Sequence, residues 1–195
     1  MKNYGKAWVV LVVILAVLLV VGYGTFRWYV NGYNKAVNLE QATEKAWANI
    51  DAALQRRLDL IPNLVNTVKG YATHEKELFE NLANARTKYF NAGDREGKIE
   101  ASNELSGFLS RLLMLQERYP DLKANQNFLD LQTALEGTEN RINVARTRYN
   151  EAAEALNAYA KQFFGSFFCR RAGVKPAEYF VATEQAKTEV PHVQF

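Results

Sequence analysis

The 195-residue chain has a single cysteine, Cys169. No intramolecular disulfide can form, and the redox compartment cannot be read from cysteine usage. Two histidines, His74 and His192, offer little material for a metal centre or a catalytic triad. Proline and glycine are sparse, and no strand-type alternation follows residue 36, which leaves an all-α chain by elimination. Charge of one sign is also missing beyond the N-terminus. Residues 1–27 hold Lys2, Lys6 and Arg27 without an acid, leaving 21 of the 24 basic groups against all 21 acidic ones. A neutral domain without a basic cluster speaks against nucleic acid as a partner.

What the chain does have is one long apolar run. Ala7 to Phe26 carries no charge, and Val9 to Val21 is entirely Val, Leu, Ile and Ala. Twenty such residues match one helical crossing of a hydrocarbon core about 30 Å thick. Tyr4 and Trp8 precede the run, and Tyr23, Phe26, Trp28 and Tyr29 close it, the aromatic pattern of two membrane interfaces. Trp8, Val12, Leu15, Leu19, Tyr23 and Trp28 are taken as anchor residues. The competing reading is a cleaved signal peptide. Its apolar region would be shorter, and Gly22-Tyr23-Gly24 is the nearest approach to a small-residue cleavage site. Lys2 and Lys6 on one side and Arg27, Lys35 and Lys45 on the other give little asymmetry from which to read orientation.

Two helical seams follow. Trp47, Ile50, Leu54, Arg57, Ile61, Leu64, Val68, Tyr71, Glu75, Leu78, Leu82, Ala85 and Tyr89 alternate at spacings of three and four. That phase predicts one long helix from Leu39 to Tyr89, bent or briefly interrupted at Pro62. Asn91-Ala92-Gly93-Asp94 reads as a turn with Asp94 as N-cap of a helix over about residues 95–118, ended by Tyr119-Pro120. The second seam runs Phe128, Leu131, Leu135, Thr138, Ile142, Ala145, Tyr149, Ala152, Leu156, Tyr159 and Phe163. The expected architecture is an N-terminal transmembrane helix followed by an antiparallel long-helix bundle, four-helix-bundle-like. Its expected divisions are 1–6 (N-terminal segment), 7–28 (span), 29–38 (linker loosened at Gly32 and Asn34), 39–164 (bundle) and 165–195 (aromatic-rich tail). The tail, with Phe167, Phe168, Tyr179, Phe180 and Phe195, either folds back over the bundle or makes a second membrane-touching patch at Phe163–Phe168 beside Arg170 and Arg171.

No pattern of catalysis emerges. His74-Glu75 lacks a second histidine at position 78, where Leu78 stands, so the zinc-protease spacing fails. Glu189 and His192 form one Glu-x-x-His pair in the tail, too little for a di-metal bundle site. There is no glycine-rich phosphate loop. Arg57 and Glu75 are the two charged seam members, and a charge in a seam needs a partner from another helix. Glu139, Arg141 and Arg146, which flank the second seam, are the candidates. Such pairs either set helix register or line a ligand site.

From Asn49 the chain reads Asn-Ile-Asp-Ala-Ala-Leu-Gln-Arg-Arg-Leu-Asp-Leu-Ile-Pro-Asn-Leu-Val-Asn-Thr-Val-Lys-Gly-Tyr-Ala-Thr-His-Glu-Lys. Ala85-Arg86, Glu117-Arg118-Tyr119-Pro120-Asp121-Leu122-Lys123-Ala124-Asn125, Asn127-Phe128, Thr138-Glu139-Asn140-Arg141-Ile142, Ala145-Arg146 and Tyr149-Asn150 continue the pattern. The sequence resembles the LemA family over nearly its whole length. It departs at Lys161-Gln162-Phe163-Phe164, where the family often has Phe-Pro, so the last bundle helix is expected to run longer here. The resemblance implies a bacterial single-pass membrane protein with a helical-bundle domain and no established catalytic activity; some relatives are linked to membrane remodelling and organelle biogenesis. It singles out Arg57, Asp59, Pro62, Asn63, Lys69, Gly70, His74, Glu75, Glu139, Arg141 and Arg146.

Three functions are therefore weighed. The first is a non-enzymatic scaffold in the bacterial cytoplasmic membrane that self-associates, through coiled-coil-like seams, and organises membrane lipid. The second is an adaptor or sensor for a membrane protein partner in envelope stress or proteolysis. The third is an enzyme with a pocket around His74 and Glu75. No catalytic residue, metal or cofactor is assigned.

Overall fold

The computed structural model describes residues 4–180, with side chains from Trp8 onward; Glu189, His192 and Phe195 lie outside the described residues. The described chain is all-α: α1 Tyr4–Lys69, α2 Lys76–Asn91, α3 Arg95–Met114, α4 Pro120–Lys123, α5 Gln126–Lys161 and α6 Phe163–Ala172, with a 3-10 turn at Leu115–Glu117. It divides into two compact units. One holds the chain up to Thr43 with Ala152–Ala177, the other Glu44–Glu151 with the residues from Glu178.

In the larger unit, side-chain contacts fix the direction of every helix. Asp51 meets Tyr89 and Leu58 meets Arg86, so α1 and α2 run antiparallel. Glu44, Asp51 and Arg57 meet Arg95, Lys98 and Ser106 in rising order, so α3 is parallel to α1. Trp47 meets Tyr149 and Arg57 meets Glu139, so α5 returns antiparallel. This is the up-down-up-down order of a four-helix bundle. Ile50, Leu54, Ile61, Leu64 and Val68 of the predicted seam are buried in α1, with Leu58 beside them, as are Leu82 of α2, Leu105 and Leu112 of α3, and Phe128, Leu135 and Ile142 of α5.

The expected helix from Leu39 to Tyr89 is instead two helices and a turn. Tyr71 and Ala72 both donate their N–H to the Val68 carbonyl at 2.9 Å, which closes α1. The seam phase runs through the turn because both arms of the hairpin face one core. The two seam members in the turn are not fully buried: Tyr71 is exposed, and the Glu75 side chain keeps 20% of its surface open. Asp94 caps α3 as expected, its Oδ1 accepting from the Gly97 N–H at 2.8 Å.

Pro62 neither splits nor ends α1, which continues to Lys69. Proline has no N–H to offer the carbonyl four residues back, which here is Leu58. Arg86 of α2 supplies the missing donor, its Nε reaching the Leu58 carbonyl at 3.3 Å. A long charged side chain thus completes the backbone bonding of a helix it does not belong to.

The smaller unit corrects the expected linker. α1 is already helical through Gly32 and Asn34. Gly32 is a site of close approach: a Cβ there would collide with the Phe168 ring, and the Tyr159 hydroxyl donates to the Gly32 carbonyl at 3.0 Å. Ala36, Leu156, Tyr159, Phe168, Cys169 and Val174 form the core of this unit. The second seam ends at Tyr159, not Phe163. Gln162 is extended, and α6 begins after it, so α5 does not run on through Phe164. Gly165 permits that reversal, since a Cβ would strike the Tyr159 carbonyl. Every large apolar side chain from Trp8 to Phe26 is exposed, Leu19 at 65% and Tyr23 at 63% among them. Such a surface is incompatible with water and marks association with a membrane.

Replacing Arg86 by Leu should destabilise the chain by about 1 to 3 kcal/mol, the cost of an unpaired buried carbonyl. The loss should be smaller in a Pro62→Ala background, where the helix supplies its own donor. A thermal-unfolding double-mutant cycle checks this; purely additive effects would contradict it.

Candidate functional site

Arg57 occupies the α1 seam and is 7% exposed. A buried guanidinium is tolerated only when paired. Its Nη2 lies 2.7 Å from Glu139 Oε2 on α5, and its Nη1 donates to Ser106 Oγ on α3 at 3.1 Å. Ser106 in turn donates to the Ser102 carbonyl at 2.8 Å. Burial draws the Arg57 pKa down, Glu139 opposes that, and nearby Arg146 adds to it. One carboxylate thus serves two cations. The expected pairing of Arg57 with the second seam is present, and three helices are locked in register by it.

A second polar knot was not legible in the sequence. Asp51 of α1 accepts from the Tyr89 hydroxyl at 2.6 Å and from Lys98 Nζ at 2.8 Å. Burial pushes the Asp51 pKa up, but these hydrogen bonds outweigh it and hold the carboxyl below its ordinary value. The Tyr89 phenol is pushed well above its usual value by burial and by the carboxylate it bonds. Tyr89 stands in the first seam, and nothing in the spacing marks Asp51 or Lys98 as its partners.

The other candidate residues scatter. Glu75 pairs with Arg118 at 3.0 Å, not with a residue flanking the second seam, because the turn places it beyond the end of α1. His74 and Glu75 line a cleft of about 530 Å³ with Arg111, Glu117 and Arg118. Lys69 lies over the Phe79 ring at 5.5 Å. Asp59 is exposed and accepts from Gln55 at 2.9 Å. Asn63 is exposed on a shallow cleft with Asn127 and Asp130. Arg141 borders a groove of about 570 Å³ between α1 and α5, beside Arg56, Val144 and Arg148. Arg146 lies over the Phe180 ring at 4.2 Å. The named residues therefore form one structural core pair, one polar cleft and several separate surface positions. Chemically, the pair can hold register, and the cleft can take a polar group that both accepts and donates hydrogen bonds.

Two measurements follow. Glu139→Ala leaves a buried cation beside Arg146 and should cost about 3 to 5 kcal/mol, whereas Arg57→Met leaves a carboxylate that can turn to water and should cost less. Equal losses in chemical denaturation would contradict the pairing. For Tyr89 the raised folded pKa means its contribution is full below the unfolded value of about 10 and is lost as pH rises above it. The melting temperature of the wild type should therefore fall more steeply between pH 10 and 11.5 than that of Tyr89→Phe. Parallel curves would contradict the buried phenol.

The sequence model of the LemA family matches residues 46–195. The chain is similar to Protein LemA of Metamycoplasma hominis, 25% identical over 91% of this chain and 81% of that protein. It is also similar to magnetosome protein MamQ 2 of Paramagnetospirillum magneticum, 25% identical over 92% of this chain and 75% of that one. Magnetosome protein MamQ of Magnetospirillum gryphiswaldense is 23% identical over the same shares. The match spans the α1 seam from Ala46, the Arg57–Glu139 pair, the Pro62 and Arg86 positions and the His74–Glu75 turn. With three-quarters of its length inside that family pattern, this membrane-associated, all-α chain belongs to the LemA family.

Proposed function

We propose that the protein is a non-enzymatic scaffold of the bacterial cytoplasmic membrane, anchored by one span, which self-associates and organises or remodels the bilayer. The observation that carries this reading is α6. Phe163, Phe164 and Phe167 are exposed, Phe163 at 84%, while Phe168 and Cys169 on the opposite side are buried. Trp28, in the aromatic belt that closes the apolar run, stacks edge-on against Phe164 and Phe168 with ring centroids at 5.1 Å. Arg170 and Arg171 follow in the last turn. An aromatic face held at the end of a span, with cations beside it, suits insertion at the headgroup boundary of one leaflet. A ring set wedged into one leaflet favours curvature. The relatives named as magnetosome proteins agree with a role in organising a membrane.

The seams are not the means of self-association in this reading, because one chain already buries them: Leu54, Leu64, Leu135 and Ile142 are each at most 6% exposed. Copies meet through the uncovered span or through the end of the chain. An adaptor or sensor is the second reading, favoured by the cleft at His74, Glu75, Arg111 and Arg118. It gains ground if Arg118→Ala abolishes capture of a membrane protein partner while leaving the particle mass unchanged.

The α6 reading is tested by Phe163→Trp in liposomes. Lipids brominated near the headgroup should quench the added fluorescence strongly, and aqueous iodide weakly. Quenching by iodide alone would contradict membrane contact by α6.

A further inference from the structure

Within the larger unit, the antiparallel pair α1 and α5 leaves one outward valley uncovered. On α1, Asn49, Arg56 and Asn63 stand at seven-residue steps, and on α5 Val144, Gly137 and Asp130 do the same. Seven residues return a helix to the same face. One end of the valley is the groove of about 570 Å³ that holds Arg56, Arg141 and Arg148; the other is the shallow cleft at Asn63 and Asp130. Gly137 lies between them, and a Cβ there would meet no described atom within 4 Å. Glycine weakens a helix interior, and nothing in the chain's own packing calls for it at this position. What it supplies is room for another backbone to come close. The groove floor is small and apolar, formed by Ala52, Ala53 and Ala145 with Val144, which is 51% exposed.

Three arginines and no acid line this end of the valley. Among the described residues, none of Arg56, Arg141 and Arg148 has a carboxylate partner. The last described residues are held elsewhere. Asn150 clamps the backbone of Phe180, its Oδ1 accepting from the N–H at 2.9 Å and its Nδ2 donating to the carbonyl at 3.0 Å, and Arg146 lies over that ring. Asn157 clamps Ala177 in the same way. Arg146 and Arg148 are two residues apart on α5 and so do not share a face.

We propose that this valley is the docking site for an acidic amphipathic helix of a partner protein. Charge complementarity, the apolar floor and the open glycine all bear on that occupant. A phosphate or a lipid headgroup would engage the arginines and leave the floor and Gly137 idle. A helix uses all three. Arg141 and Arg148 are seven residues apart on α5, roughly 10 Å along its axis. Two carboxylates seven residues apart on a helix lying along α5 have the same separation. An apolar residue midway between those carboxylates then faces Val144, which stands midway between the arginines. Arg56 closes the opposite wall. The partner's signature is therefore acid, apolar residue and acid at i, i+3 or i+4, and i+7, with a small residue one heptad beyond the apolar one, where its backbone passes Gly137. A second copy does not fit through the same face, because a two-fold contact would set arginine against arginine. The inference uses no residue of α6 and does not depend on self-association.

The test uses the full-length protein in an uncharged detergent and a fluorescent, alanine-based helical peptide of about 20 residues, with glutamates seven apart and leucine between them. Its anisotropy should rise saturably with protein, and the binding should weaken as salt is added. Arg141→Gln together with Arg148→Gln should weaken it about tenfold. Gly137→Leu should weaken it with every charge in place, while the melting temperature stays at or above that of the wild type. Arg141→Glu together with Arg148→Glu should reverse the preference, so that a lysine version of the peptide binds and the glutamate version does not. A misfolded variant cannot produce that reversal. Absence of saturable binding would overturn the proposal. So would equal binding of a peptide of the same composition with its glutamate spacing scrambled, which reduces the attraction to charge alone. Displacement of the peptide by micelles doped with phosphatidylglycerol would also overturn it, by making the groove a site for anionic lipid.

Discussion

A full positive charge in the middle of an apolar seam is the constraint on which the bundle depends. Arg57 cannot be left unpaired at 7% exposure, and the groups that satisfy it come from two other helices. Sliding α5 by one turn would move Glu139 about 5.4 Å and strand the guanidinium. Leucine and isoleucine are more tolerant, because apolar contacts have no fixed partner. The hydrophobic seam supplies the driving force, and Arg57 selects one register from the several that the seam alone would accept.

The same logic governs Pro62. A proline inside α1 frees the Leu58 carbonyl, and Arg86 fills the gap from α2. Asp51 then ties α1 to both Tyr89 and Lys98. Each of these polar links joins α1 to another helix, so α1 is the reference against which the other three are placed. A bundle whose apolar core is sealed by its own chain leaves its distinctive surfaces elsewhere: the uncovered apolar run, the phenylalanines of α6, the cleft at His74 and the clamp at Asn150.

Much of this was legible from residue spacing. Trp47 to Val68 and Phe128 to Tyr159 read directly as buried faces, Asp94 as a cap, and Ala7 to Phe26 as an apolar run too long for a soluble helix to leave uncovered. The turn at Gly70–Glu75 was hidden because the three-four phase crosses a hairpin whose two arms share one core. Gly32 looked like a loosening element because a sequence does not display the ring that packs on it. The partner of Glu75 was missed for a related reason: periodicity identifies a face, whereas Arg118 approaches the turn from another part of the chain. Spacing gave no signal for Asn150 or Asn157, since a lone amide on a helix looks the same whether it faces water or a peptide. Only Tyr149-Asn150, as part of the family pattern, pointed to that position.

Family membership and an uncovered apolar run associate this chain with a membrane, and the proposed scaffold adds self-association to that. The most direct test is the mass of the full-length protein released from membrane in mild detergent, measured by native mass spectrometry. The account predicts a discrete particle at a whole-number multiple of the 22.2 kDa chain, stable to dilution. A single copy at every concentration would contradict it.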